Sequence, residues 1–304
     1  MSDRSQPDLQ DPTSPSAEMA PVELDAAGLS HQGHVRPDNE DQFLIASLHK
    51  HLSVRDTTLP NRHMLAMPGD SIAHLLLVAD GVGGSAGGKQ ASGRALEAIA
   101  GYATGTMHCY YSGDPAHEQD FLNDLRQAVL QSHAAVLDAG QREPGLAGMA
   151  TTLTMAVVSW PVAYVVQVGD SRCYHLHQGK LIQVTRDQTV AQDLVDEGLL
   201  TDTAADRSPL SHVLSSAIGG ETPSPVVSRI GLDQNDTLLL CTDGLIEHLT
   251  DEDILAELDR GAGTRETATA LVQSALDKGG RDNVTVVVAR PSIPAVDVEN
   301  RTKP

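Results

Sequence analysis

The chain is 304 residues long and carries 41 acidic against 21 basic side chains, a net charge of −20. Such a surface repels nucleic acid and anionic membrane at long range, and repels a phosphorylated substrate too unless the site itself is locally positive. Aromatic residues make up only 3% of the chain, so a core has to be built from Val, Leu, Ile and Ala, either in two small domains or in one of roughly 250 residues with tails.

Residues 1–26 are rich in Pro, Ser, Asp and Gln and read as a disordered tail. Their acidity, with no basic stretch leading into an apolar one, argues against a signal peptide. No apolar run reaches membrane-spanning length. Cys109, Cys173 and Cys241 are widely spaced, without zinc-ligand spacing or an even framework, and read as reduced thiols of a cytosolic protein.

The charged segment Gly33-His34-Val35-Arg36-Pro37-Asp38-Asn39-Glu40-Asp41 leads into a strand. As a surface loop it would be salt-bridged. As part of a site, Arg36 would offer a planar guanidinium that matches phosphate oxygens two at a time, beside metal-site acids. From His49 to Ala73 the chain is a long, locally basic connection with Lys50, Arg55 and Arg62, to be read as a solvated loop, a site rim or a docking surface.

The run Leu75-Leu76-Leu77-Val78-Ala79 then reads as a buried strand, ended by Asp80-Gly81 and two further glycines. Alone, Asp-Gly is a common turn dipeptide. Two amphipathic helices follow, over 88–104 and 120–139, and then a strand over 150–158. Strand 163–169 delivers Asp170, repeating the order of strand then Asp. Residues 171–176 and 180–184 form a hairpin across Gln178-Gly179, on which His175 and His177 could bind a metal together but fit the solvent face of a strand better. Residues 187–220 hold a short helix and form an insertion over a sheet edge. Strand 237–242 delivers Asp243, again followed by glycine, and after helices over 251–258 and 264–276 Asp282 opens the last strand, 283–288. From Pro291 onward the chain is a polar tail. Short, hairpin-like connections favour antiparallel sheets with helices outside.

Four carboxylates at strand ends, far apart in sequence, point to one oxygen-rich metal site at a sheet edge. Carboxylates with a backbone carbonyl suit Mg²⁺ or Mn²⁺ better than zinc. The stretches Val35-Arg36…Asn39-Glu40-Asp41, Val78-Ala79-Asp80-Gly81-Val82-Gly83-Gly84, Ala150-Thr151-Thr152-Leu153, Val168-Gly169-Asp170-Ser171-Arg172, Cys241-Thr242-Asp243-Gly244-Leu245 and Gly280-Arg281-Asp282-Asn283-Val284-Thr285 together resemble the metal-dependent, type-2C protein serine/threonine phosphatases in their bacterial-like branch.

The resemblance implies an α-β-β-α sandwich over residues 27–290, with a flap at about 187–220 and tails at 1–26 and 291–304. It implies hydrolysis of phosphoserine and phosphothreonine by water activated at a Mn²⁺ or Mg²⁺ pair, with a third, weaker ion. Asp80 would bridge the pair, with the Gly81 carbonyl, Asp243 and Asp282 as further ligands. Asp170 would hold the third ion, together with Asp243. Asp41 would act through water, with Glu40 and Asn283 behind the ligands, and Arg36 would bind the substrate phosphate. Phosphorylated proteins, with a serine/threonine kinase that supplies them, are the implied partners of a monomeric cytoplasmic enzyme. Many eukaryotic-type members carry His where this chain has Val82, which leaves the leaving-group acid open to a third ion, a flap residue, His31 or His34. A phosphate-holding module without turnover and a hydrolase of small phosphomonoesters are the alternatives.

Overall fold

Strands that are apolar on both faces have to be covered on both sides, and that requirement organises this fold. The computed structural model describes residues 23–49, 71–82, 86–105, 115–205 and 207–292. One sheet has the order β1 (Glu23–His31), β12 (Val284–Ser292), β11 (Thr237–Cys241), β8 (Arg172–His177), β9 (Lys180–Gln183). The other runs β10 (Val226–Gly231), β7 (Val162–Val168), β6 (Leu153–Ser159), β3 (Ser71–Ala79), β2 (Gln42–His49), and a short pair joins β4 (Gly81–Val82) to β5 (Ala150–Thr151). The paired strands are antiparallel throughout.

Alternate residues of the inner strands serve different layers. In β3, Leu76 and Val78 face the other sheet and meet Cys173, Leu238, Leu240 and Val287. Leu75 and Leu77 face outward, onto Ala91, Ala95 and Ile99 of α1 (Ala86–Gly105) and Leu125 and Val129 of α2 (Pro115–Arg142). On the far side Leu239, Val286 and Val288 carry α6 (Asp251–Leu258) and α7 (Thr264–Asp277) through Ile254, Leu258, Leu271 and Val272. The result is helix pair, sheet, sheet, helix pair. Thr250 starts α6 with a capping box, its side chain and that of Asp253 each taking the other's backbone N–H.

Two expectations need correction. β1 begins at Glu23 and β12 runs on to Ser292, each inside a stretch read as tail (1–26 and 291–304), because their backbones pair from Glu23 opposite Ser292 to His31 opposite Val284; backbone pairing, not apolar content, recruits those residues. His175 is 7% exposed and does not lie on a solvent face. It shares the face of Cys173, which is turned towards the other sheet. Cys173 and Cys241 are buried free thiols. Cys109, the Gly83-Gly84 pair, most of the basic connection with Lys50, Arg55 and Arg62, and the tails at 1–22 and 293–304 lie outside the described residues.

Candidate metal centre

The four strand-end carboxylates come together at one end of the sandwich. β3 and β7 run towards that end in one sheet and deliver Asp80 and Asp170. In the other sheet β11 ends there before Asp243, which opens the short helix α5 (Asp243–Ile246), and Asp282 leads into its antiparallel neighbour β12. They surround a cavity of about 780 Å³, which Arg36, His212 and Glu247 also line.

Two glycines make the approach possible. A Cβ on Gly81 would fall on the backbone of Gly88 in α1, and one on Gly244 would fall on the Asn283 carbonyl. Only glycine allows backbones so close, which is why Asp80 and Asp243 are each followed by one. Short hydroxyl side chains then fix the carboxylates. The Asp80 N–H donates to Thr152 Oγ1 at 3.0 Å, and the Asp80 carbonyl accepts from the Thr152 N–H at 2.9 Å and the Thr151 hydroxyl at 2.7 Å. The Thr152 hydroxyl shares a 2.6 Å hydrogen bond with Ser171, the neighbour of Asp170. Thr242 donates to Asp41 Oδ2 at 2.8 Å and accepts from the Thr285 N–H at 3.0 Å. Asn283 accepts from the Glu40 N–H at 2.9 Å and donates to the carbonyls of Gln32 and Asp38 at 2.8 and 2.9 Å, pinning the charged loop to the start of β12.

The carboxylates strain against one another. Burial, followed by the charge of Asp243, pushes Asp80 and Asp170 well above the usual carboxylate range. Burial, then Asp282 and Glu247, raises Asp243 to about 6. Burial raises Asp41 to about 7 against the hydrogen bonds of Thr285 and Thr242. Asp41 is 3% exposed, and its Oδ1, like Glu40 Oε1, has no hydrogen-bond partner among the described residues. Arg36 is the one lysine or arginine among the described residues that lines the cavity, and its Nη2 donates to Asp282 Oδ2 at 2.5 Å. One guanidinium does not neutralise this many acids, and buried carboxylates facing each other are costly unless a cation joins them. All the candidate donors are oxygens, which suits Mg²⁺ or Mn²⁺. The surplus of buried charge and the unpartnered oxygens fit divalent ions at this site.

Residues 53–278 match the family model described as protein phosphatase 2C. The chain belongs to that family. It is 38% identical over 217 residues to the serine/threonine protein phosphatase PstP of Mycobacterium tuberculosis, covering 71% of this chain but 40% of that protein, so it spans about two fifths of that relative's length. With the serine/threonine phosphatase stp of Listeria welshimeri it is 27% identical over 220 residues, 72% of this chain and 85% of the relative. The crystal structure of the M. tuberculosis phosphatase PstP/Ppp superposes with a TM-score of 0.71 at 34% identity, over 89% of this chain and 99% of the other. The catalytic domain of PstP in complex with two manganese ions superposes with a TM-score of 0.69 at 33% identity, over the same 89% and 99%. The two-sheet architecture is thus that of the bacterial protein phosphatases 2C. The family match takes in Asp80, Asp170 and Asp243 and stops short of Arg36, Asp41 and Asp282, whose place beside them is a finding of the fold.

In this phosphatase-family chain the insertion at 187–220 holds α3 (Val190–Asp196), α4 (Asp202–Ala205) and a 3₁₀ turn at Pro209–His212. Its roots are tied to the centre. Gln188 Oε1 accepts from the Gly169 N–H at 2.9 Å, beside Asp170, and Ile218 pairs with Thr151, beside the Asp80 brace. Arg172 holds Asp187 through Nε and Nη2 at 2.9 and 2.7 Å. The insertion brings His212 to the cavity, where its ring comes within 4.8 Å of carboxylate oxygens of Asp243 and Glu247. Val82 is 42% exposed and lines the same cavity, whereas His31 and His34 do not. Sequence patterning singles out neither His212 nor Glu247, which reach the site only through tertiary placement. The bracing threonines had a faint signal in the Ala150-Thr151-Thr152 run.

Proposed function

We propose that the chain is a metal-dependent protein phosphatase that hydrolyses phosphoserine and phosphothreonine in other proteins. The observation that carries the reading is the meeting of Asp80, Asp170, Asp243 and Asp282 in one cavity with Arg36 beside them. Asp80, the Gly81 carbonyl, Asp243 and Asp282 would hold a pair of Mn²⁺ or Mg²⁺ ions, and Asp170 with Asp243 a third. Bound there, such ions supply Lewis acidity and a water that ionises near neutral pH.

The chain's own residues do the rest. Arg36 is half-exposed, with its guanidinium at the cavity. It leaves Asp282 for the substrate phosphate, which it grips through two parallel N–H bonds. Asp41, buried behind the ligands with one free oxygen, accepts a hydrogen bond from whatever occupies the pocket floor. Glu40 and Asn283 keep the loop that carries Arg36 and Asp41 in register with Asp282. Phosphorylated proteins are the partners, a serine/threonine kinase supplies them, and the enzyme works as a cytoplasmic monomer.

The test is phosphate release from phosphoserine and phosphothreonine peptides with Mn²⁺, with Mg²⁺ and with excess EDTA, beside small phosphomonoesters. Release from the peptides that stops in EDTA and returns with either ion supports the reading. Turnover in chelator removes the metal assignment, binding of phosphopeptides without release favours a phosphate-holding module, and preference for small esters favours a small-molecule hydrolase. Arg36→Ala is expected to raise KM about 10-fold, more than it lowers kcat, because the guanidinium positions phosphate.

A further inference from the structure

At the end of the sandwich away from the metal centre, β8 finishes on His175-Leu176-His177. The connection from β10 to β11 crosses there from one sheet to the other through Leu232–Asp236. His175 and His177 stand two residues apart on the strand and so point to the same side, into the layer between the sheets. Both turn a ring nitrogen to one carboxylate: His175 Nε2 lies 2.8 Å from Asp236 Oδ2 and His177 Nδ1 lies 2.9 Å from Asp236 Oδ1. The three ligand atoms lie within 4.8 Å of one another. Asp236 is 2% exposed, and among the described residues no lysine or arginine pairs with it. Asp233, at the outer edge with a side chain 71% exposed, has Oδ2 3.9 Å from His177 Nδ1.

We infer that His175, His177 and Asp236 form a second metal site, selective for Zn²⁺, with Asp233 or water as the fourth ligand. Two imidazoles and a carboxylate are a zinc donor set, unlike the all-oxygen centre at the other pole. Zinc bonds near 2.1 Å put tetrahedral ligand atoms about 3.4 Å apart; the two imidazoles reach different oxygens of Asp236, at 2.8 and 2.9 Å, so to take an ion each ring carries its proton on the other nitrogen and the carboxylate turns an oxygen between them. The positions fit that demand. The backbone of β8 holds the histidines, and the Asp233 N–H holds Asp236 Oδ2 at 2.8 Å across the turn. An ion there would tie the end of β8 to the crossing between the two sheets. It would brace the fold at the pole that the catalytic reading leaves unused.

The test keeps the full chain saturated with Mn²⁺, so that the oxygen centre is occupied, and adds Co²⁺ as a spectroscopic stand-in for Zn²⁺. Four-coordinate Co²⁺ with nitrogen ligands absorbs visible light far more strongly than six-coordinate Co²⁺ among oxygens. One equivalent should give the intense spectrum, Zn²⁺ should bleach it, and Zn²⁺ at about 100 times its Kd should raise Tm by about 5 °C. His177→Gln, at a partly exposed strand end, and His175→Gln should each lose the spectrum and the Tm rise while keeping Mn²⁺-dependent turnover. A wild-type spectrum of six-coordinate type, or an intense spectrum and Tm rise unchanged in both variants, would reduce the trio to a hydrogen-bonded brace.

Discussion

Asp236 and Asp243 stand at opposite ends of one strand, β11, and their pKa values are displaced in opposite directions. Burial pushes Asp236 up, but the Asp233 amide and the two imidazoles outweigh it, and its pKa falls below the ordinary value. Burial pushes Asp243 up as well, and there Asp282 and Glu247 add to the rise. Burial alone therefore does not decide the behaviour of a strand-end acid; its neighbours do. Where they are donors, the carboxylate is already compensated. Where they are further carboxylates, the fold holds an unpaid charge that calls for hard cations. The donor chemistry differs in the same sense, with oxygen alone at the Asp243 pole and nitrogen with oxygen at the Asp236 pole.

The largest effect expected at the Asp243 pole comes from Asp80→Asn. It removes the negative charge that would bridge two ions in the proposed reading and keeps the shape. Turnover of a phosphopeptide with saturating Mn²⁺ should fall by roughly 10³-fold or more, about 4 kcal/mol of transition-state stabilisation, while the circular dichroism spectrum stays that of the wild type. Wild-type turnover would show that the acids at this pole are no more catalytic than Asp236.

Next is Asp170→Ala, which separates two tasks at the same pole. An alkyl leaving group such as serine's needs a proton as the P–O bond breaks, and p-nitrophenolate does not. Val82 lines the cavity but has none to give. Asp170 would hold a third ion, and a divalent ion makes its surroundings more acidic. Help of this kind is worth about 10²–10⁴-fold. Phosphothreonine-peptide kcat should drop by about 10²-fold, and p-nitrophenyl phosphate kcat at saturating Mn²⁺ should change little. Equal losses on both substrates would make Asp170 a general support of the centre, and no loss on either would send the search for the acid to the flap.

Thr152→Val should act more gently. It removes the hydroxyl that links the Asp80 amide to Ser171 and keeps the strand. Loss of an outer hydrogen-bond partner costs about 10–100-fold in metal affinity or activity, read as a higher Mn²⁺ requirement that excess Mn²⁺ repairs. A loss that excess Mn²⁺ does not repair would point to a misplaced Asp170 instead.

These cases also show what the sequence could and could not reveal. The strand-then-Asp order was legible because Leu75–Ala79, 163–168 and 237–241 are apolar on both faces, and because the close packing after Asp80 and Asp243 leaves room only for glycine. The sheet layers were legible for the same reason. Thr151, Thr152 and Thr242 stand in legible stretches, but their bracing role does not show there, since threonine in a strand is ordinary and its hydroxyl partner is set by the fold. The pattern of β8 suggests a half-exposed strand and so a solvent face for His175, whereas the sandwich covers both faces of β8. Asp236 gave no signal at all: it lies in a polar turn, and only the crossing between sheets brings it under the histidines.

The smallest effects should show the contrast most cleanly, in metal-free protein kept in EDTA. Asp236 has a folded pKa below the unfolded value of about 3.9. Its carboxylate therefore stabilises the fold above about pH 4, and that contribution is lost as pH falls through the lower, folded value. Asp236→Asn should cost about 1.5–3 kcal/mol at pH 7, the size of a charged hydrogen bond, and the deficit should close below about pH 4. Asp243 has a folded pKa raised to about 6, so the sign reverses. Between about pH 4 and 6 the unfolded chain ionises first, and stability falls as pH rises. Without metal, Asp243→Asn should be the more stable protein at pH 7, by about 1–2 kcal/mol, and should lose that advantage as pH falls towards 4. Urea melts of the two variants and the wild type, at pH 3.5, 5 and 7, decide it. Deficits of the same sign at both positions would mean that a buried strand-end carboxylate behaves alike at the two poles. Opposite signs that merge in acid, with Mn²⁺ cancelling the gain of Asp243→Asn alone, would show that one end of β11 is built for hard cations and the other is not.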